Sequence, residues 1–150
     1  MEMLQHARFH ITTARAVEFI DLTARLEGLV AEARVETGFL NLQTLHTTTA
    51  IVVNEHEPGL LADFEAHLDA LAPECRDYAH DDLSARVNVT DGERRNGHAH
   101  CRALLLPCSV SLNVAGGRLM LGRWQRVFLV ELDGPRDRAV SVLVLGEAAR

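Results

Sequence analysis

The sequence predicts an α+β domain of mainly antiparallel sheet with two main helices, and three observations carry that expectation. Short runs of alternating apolar and polar residues recur at hairpin-like separations. Two stretches switch to the helical period instead. With 150 residues the chain is long enough for one core and short for two, so residues 1–150 are expected to form a single domain.

Leu4 to Thr12 and Val17 to Leu22 alternate around Thr13-Ala14-Arg15-Ala16 and suggest a hairpin. Thr23 suits an N-cap, and Leu22, Leu26, Leu29, Val30 and Ala33 recur at helical spacing, which predicts a helix over Thr23 to Arg34 ending before Gly38. Phe39 to Thr47 returns to period two, with Leu40, Leu42, Thr44 and His46 on one face. Ala50 to Val53 reads as a second, buried strand that delivers Asn54 and Glu55 at its end.

Pro58 fits a first helical turn, and Leu61, Phe64, Leu68 and Leu71 line one face until Pro73, so Pro58 to Ala72 is the second main helix. Glu57 or Asp63 would complement the dipole at its start. From Pro73 to Gly97 the chain is polar and weakly periodic, the pattern of a functional loop. His98 to Leu106 suggests a short helix. Ser109 to Val114, Leu119 to Leu121, Val127 to Leu132 and Ala139 to Leu145 then read as strands, the first running into a Gly116-Gly117 turn.

Composition narrows the function classes. All 15 basic residues are Arg, and the formal charge of −6 argues against a nucleic-acid face, which needs a basic surface. No apolar run is long enough to span a bilayer and no leader pattern opens the chain, so a cytoplasmic protein with no membrane partner is expected. Cys75, Cys101 and Cys108 have no metal-knuckle spacing and read as reduced, buried thiols.

Eight histidines are an enrichment. His46 closes a strand, His80 opens an acidic pair, and His98 and His100 stand two apart. On a helix those two rings point about 200° apart, so only one can enter a site. His6, His10, His56 and His67 read as surface residues. Taken singly, His46 fits a structural hydrogen bond, His80 an exposed loop pair, and Asn54 and Glu55 a strand-to-helix cap. Glu131 and Asp133 alternate onto one face of an apolar strand, and buried carboxylates there need partners. Trp124 suits either core packing or a lid over a planar substrate.

Four segments resemble the YjbQ-like family, also called secondary thiamine-phosphate synthase enzymes: H-T-T-T-A-I-V-V-N-E at His46 to Glu55, Y-A-H-D at Tyr78 to Asp81, N-G-H-A-H at Asn96 to His100, and L-G-R-W-Q-R-V-F-L-V-E-L-D-G-P-R at Leu121 to Arg136. The last is the most specific. Carried over by position, the family pattern falls on His46, Asn54, Glu55, His80, His100 and Ser109. Cys108, Pro107, Asn113 and Arg123 depart from it, which weakens the expectation of an anion-binding turn at 107–109.

The resemblance implies a compact YjbQ-like α+β fold, a homotrimer, and a weak thiamine-phosphate synthase activity. The resulting expectation is an enzyme acting on a small phosphorylated substrate beside a divalent metal, zinc or magnesium, held by His46, His80 and His100. Glu131 or Asp81 would serve as further ligand or base, with Asn54 and Glu55 also in the site. Ser109, Arg123, Trp124 and Gln125 would bind substrate, and Arg94, Arg95, Arg102 or Arg123 would neutralise the leaving group. Two alternatives use the same residues: a non-catalytic trimer binding a metal or small ligand, and a phosphate ester hydrolase.

Overall fold

The computed structural model describes residues 1–148, which fold into two antiparallel sheets and three helices. Strands β1 (Glu2–Thr12), β8 (Asp137–Ala148), β3 (Val35–Thr44), β5 (Ser109–Ala115) and β6 (Arg118–Leu119) lie side by side in that order in the larger sheet. The smaller has the order β2 (Glu18–Asp21), β7 (Gln125–Glu131), β4 (Thr49–Glu55). Helices α1 (Thr23–Ala33), α2 (Pro58–Leu71) and α3 (Gly97–Leu104) complete the domain. The α+β expectation holds.

Burial follows from this layering. Along β1, Met3, Ala7, Phe9 and Ile11 face the core, while Leu4, His6, Arg8 and His10 face outward. The inner face of the larger sheet packs with α1 against Ile51, Val127 and Leu129 of the smaller one. The opposite face of the smaller sheet places Phe128, Val130 and Leu132 against Leu61 and Leu68 of α2 and Ala99 of α3. Residues Val127 to Glu131 are therefore buried on both faces, which explains the unbroken apolar run from Val127 to Val130.

Several boundaries differ from the expectation, each for a local reason. The predicted hairpin at 4–22 is absent: β1 pairs with β8 from Glu2↔Glu147 to Thr12↔Asp137, whereas β2 pairs with β7 in the other sheet. Between them the chain changes layers, pinned where Thr13 donates its N–H to Arg136 and Ala16 accepts from Gly134. Thr23 is a helical residue rather than the cap. Its N–H goes to Asp21 Oδ1 at 2.9 Å, and its hydroxyl accepts the Val127 N–H at 2.9 Å. Arg34, at φ 53°, ends α1 in the left-handed conformation.

Gly38 therefore does not close a helix; it lies inside β3 opposite Gly146. A Cβ at position 38 would meet the Leu145 carbonyl and come within 2.6 Å of Gly146 Cα. The start of α2 follows the sequence reading, since Glu57 accepts the N–H groups of Gly59 and Leu60 at 2.8 and 2.7 Å. Leu71, expected on its buried face, is half exposed. The three cysteines are free and exposed rather than buried.

The glycine pair yields a direct test of the sheet. Gly38→Ala should destabilise the domain by about 1–3 kcal/mol, because backbone and not a flexible side chain must give way. Urea unfolding measures this, and an unchanged midpoint would show that β3 and β8 are not so closely apposed.

Candidate functional site

The construction starts at the end of β7. Glu131 is fully buried, and it accepts five hydrogen bonds: Arg138 Nε and Nη2 at 2.6 Å each, the Thr13 hydroxyl at 3.0 Å, and the amides of Leu132 and Asp133 at 2.9 Å. Burial alone would raise its pKa. The Arg138 guanidinium and the Asp133 and Thr13 bonds outweigh that and hold the carboxyl below its ordinary range. Arg138 also donates to the Thr48 hydroxyl at 2.9 Å, so one buried ion pair joins the segment after β1, the β3–β4 turn, β7 and β8.

His46 stands in that β3–β4 turn. Its Nε2 accepts the Ala139 N–H at 2.9 Å, which leaves the ring proton of the neutral form on Nδ1. Partial burial, then the Arg138 charge, push its pKa below the usual 6.5, with Glu131 only partly opposing. His46 is thus a neutral imidazole of fixed tautomer.

Two residues past Glu131, Asp133 turns toward α3. Its Oδ2 accepts from Asn96 Nδ2 at 2.8 Å and Arg136 Nη2 at 2.6 Å, and its carbonyl accepts from Arg94 at 3.0 Å and Arg136 at 3.1 Å. Asn96 precedes α3, which carries His100. The His100 ring meets the His80 ring edge to face with centroids 4.7 Å apart. Burial and then the neighbouring His80 lower the His100 pKa, against a smaller opposing effect of Asp133.

The loop holding His80 is itself tied to α3. Asp81 Oδ1 accepts the Gly97 N–H at 2.8 Å, and a Cβ on Gly97 would lie 2.5 Å from Tyr78 Cβ. The segment 78–81 is therefore seated directly on the helix start. As the helical reading of His-x-His requires, His98 turns inward and is buried while His100 is half-buried beside His80.

The expected residues fall into two groups rather than one. His46, His80, Asp81, His100 and Glu131 belong to the imidazole end. Asn54, Glu55, Arg123, Trp124 and Gln125 belong to the other end of the β4–β7 ladder, which runs from Thr49↔Glu131 to Glu55↔Gln125. Seven paired positions span about 20 Å, so within one chain Trp124 cannot cover a ligand held by the imidazoles. Ser109 is exposed at the start of β5, opposite Gln43.

Among the described residues no group of three or more His, Cys, Asp and Glu side chains gathers with ligand geometry. His46 spends one nitrogen on the Ala139 amide, and His80 and His100 pair without it. A three-histidine metal site of one chain therefore does not fit these residues.

The arginine assignments change as well. Arg102 is buried and ties α3 to Ala72 and Asp69 of the α2 end, and Arg123 lies at the far end. Of the expected set, Arg94 reaches the Asp133 carbonyl, and Arg95 lines a cleft with Tyr78, Asp81 and Asp82. Arg136 and Arg138, which the sequence reading passed over, are at the imidazole end too, as are Asn96 and Asp133. The signal for the missed cations was available: a carboxylate pair on a buried strand demands nearby guanidiniums, and the next two Arg residues supply them.

The comparisons with known proteins agree along the whole domain. The family model described as UPF0047 protein YjbQ-like matches residues 7–147. A UPF0047 protein of Archaeoglobus fulgidus is 42% identical over 135 residues, covering 90% of this chain and 97% of its own. One from Methanothermobacter thermautotrophicus is 38% identical over 137 residues, covering 91% and 89%. The crystal structure of a YbjQ-like protein of unknown function from Sulfolobus solfataricus P2 superposes with a TM-score of 0.88 at 33% identity, over 98% of this chain and 100% of that one.

Two outcomes follow from the site's physics. Glu131→Ala should cost about 3–5 kcal/mol, since it leaves Arg138 buried and unpaired; a loss below about 1 kcal/mol in urea unfolding would contradict the arrangement. In histidine NMR titrations His46 and His100 should both titrate below 6.5. Because the unfolded chain then binds more protons, these two histidines should make stability fall as pH drops from 6.5 toward their folded values. Either ring titrating above 6.5 would reverse that sign.

Proposed function

The chain belongs to the YjbQ-like UPF0047 family, and from that premise we propose that it is an enzyme acting on a small phosphorylated substrate at the imidazole end of β7. The carrying observation is the His80–His100 ring pair at 4.7 Å, which shares the neighbourhood of Asp133 with Arg94 and Arg136. An imidazole accepts a proton, and its protonated form returns one, near neutral pH. The partly exposed guanidiniums of Arg94 and Arg136 offset the charge that develops on a departing phosphate or pyrophosphate. His46 presents its Nδ1–H as a further donor.

The resemblance to secondary thiamine-phosphate synthases narrows the reaction to a displacement at a methylene carbon. There the thiazole ring nitrogen forms the new C–N bond as the C–O bond to pyrophosphate breaks, and pyrophosphate leaves with the electron pair. Such a step calls for charge neutralisation at the leaving group more than for a protein nucleophile, which matches a site rich in guanidinium and poor in Ser or Cys. Hydrolysis of a phosphate ester would use the same groups with water as the attacking species.

A second reading is a homotrimer in which His80 and His100 hold a divalent ion, zinc or magnesium, and a neighbouring subunit completes the set. The proximity of the two rings favours it, and among the described residues no third ligand of the same chain joins them.

Pyrophosphate release from a pyrimidinylmethyl pyrophosphate and a thiazole phosphate tests the first reading, with a phosphomonoester assayed in parallel. His80→Ala and His100→Ala should each lower the rate by about 10²-fold or more while the circular dichroism spectrum is unchanged. Full activity in both variants would refute the proposal. For the second reading, metal analysis should show the ion lost in both variants, and sedimentation should show a trimer. A stable monomer at micromolar concentration, or a metal content indifferent to both substitutions, would count against it.

A further inference from the structure

At the opposite end of the β4–β7 ladder, two clefts meet at Arg123 and Arg126. One, of about 640 Å³, lies between α1 and the loop that follows β6 and is lined by Glu27, Arg118 and Arg123 among others. Its neighbour, of about 520 Å³, lies at the β4–α2 corner beside Glu55, His56 and Trp124. Trp124 is the only tryptophan of the chain and is 62% exposed.

That exposure is built in. Gly122 and Gln125 close the loop around Trp124 with reciprocal bonds: the Gly122 N–H reaches Gln125 Oε1 at 2.8 Å, and the Gln125 N–H reaches the Gly122 carbonyl at 3.0 Å. The Arg123 guanidinium stacks 4.8 Å from the indole centroid. A large aromatic held out of the core on a closed turn offers a preformed flat face.

Charge around the clefts is unequally spent. Asp21 is fully engaged, accepting from Arg126 Nε at 2.8 Å, the Thr23 N–H at 2.9 Å and His56 Nδ1 at 3.1 Å. Glu57 is committed to the amides that open α2. Among the described residues neither Arg118 nor Arg123 has a carboxylate partner. Those two cations border the 640 Å³ cleft, where Glu27 is the opposing charge.

On the other side the acceptors are free. Asp21 takes up His56 Nδ1, which leaves Nε2 as the ring nitrogen open to a ligand. The Glu55 carboxylate lines the same cleft. A flat aromatic face, two hydrogen-bond acceptors beside it and two unspent guanidiniums next door describe one kind of ligand.

We propose that this end of the molecule is a separate binding site for a phosphorylated heteroaromatic compound bearing ring amino or imino donors, of the nucleoside monophosphate type. The ring stacks on Trp124 and donates to Glu55 and His56 Nε2, and the phosphate reaches Arg118 and Arg123. The site stands independently of the proposed reaction at the imidazole end, about 20 Å away along β7.

Trp124 is its own reporter. Adenosine monophosphate is titrated against the fluorescence of the purified chain, with adenosine and inorganic phosphate as separate arms. The expected result is saturable quenching by the monophosphate, at least tenfold weaker for either fragment. Arg123→Gln and His56→Gln should each weaken binding at least fivefold, and isothermal titration of Trp124→Ala should show it lost. All three side chains are exposed, and only His56 touches the core, through its edge-to-face contact with Phe128 at 5.3 Å, so unchanged circular dichroism and urea midpoints accompany each variant. His80→Ala and His100→Ala should leave the quenching unchanged, which separates failure here from failure of the catalytic reading. No saturable quenching at millimolar ligand would overturn the proposal, as would binding indifferent to Arg123→Gln and His56→Gln.

Discussion

The buried pair of Glu131 and Arg138 is the interaction on which the rest depends. A carboxylate with no exposed surface is tolerable only when its acceptor sites are filled, and here five donors from four residues fill them. To make those bonds, the end of β7 must lie against the start of β8, and Thr13, just past β1, must turn toward it. The β3–β4 turn must also bring Thr48 inward. Once it does so, His46 is carried to the Ala139 amide and acquires its tautomer, and Asp133 is aimed at α3. The reactive-looking side chains are thus consequences of one satisfied buried charge.

Faces of elements could be read from the sequence; partners often could not. Period-two alternation identified the inward residues of β3, and helical spacing identified α1 and α2, because each pattern reports only which side of an element is apolar. The same alternation gave the wrong partner for β1, which lies against the far C-terminal strand instead of the next run. Nothing local distinguishes those choices, since pairing is decided by which layer each strand enters. The geometric argument about His98 and His100 held because helix geometry is local.

The candidate site shows the complementary limit. Its most specific motif, Leu121 to Arg136, contains both Trp124 and Glu131, and proximity in sequence suggested one site. An extended strand turns six residues into about 20 Å, so the motif instead links two ends of the molecule. His56 is a surface residue, as the sequence suggests, but its partner Asp21 lies 35 positions earlier, a pairing no local pattern reports. Arg102, expected to meet a phosphate, is a structural tie between helices, a role visible only once α2 and α3 are side by side.

What makes the imidazole end a reaction site, on this account, is that two imidazole rings and two partly exposed guanidiniums gather around Asp133, which follows the buried Glu131–Arg138 pair. Chemical-shift mapping of the side chains during titration with inorganic pyrophosphate tests that convergence most directly. The account predicts saturable shifts of His80, His100, Arg94 and Arg136 together. Saturation with those four side chains unmoved would contradict it.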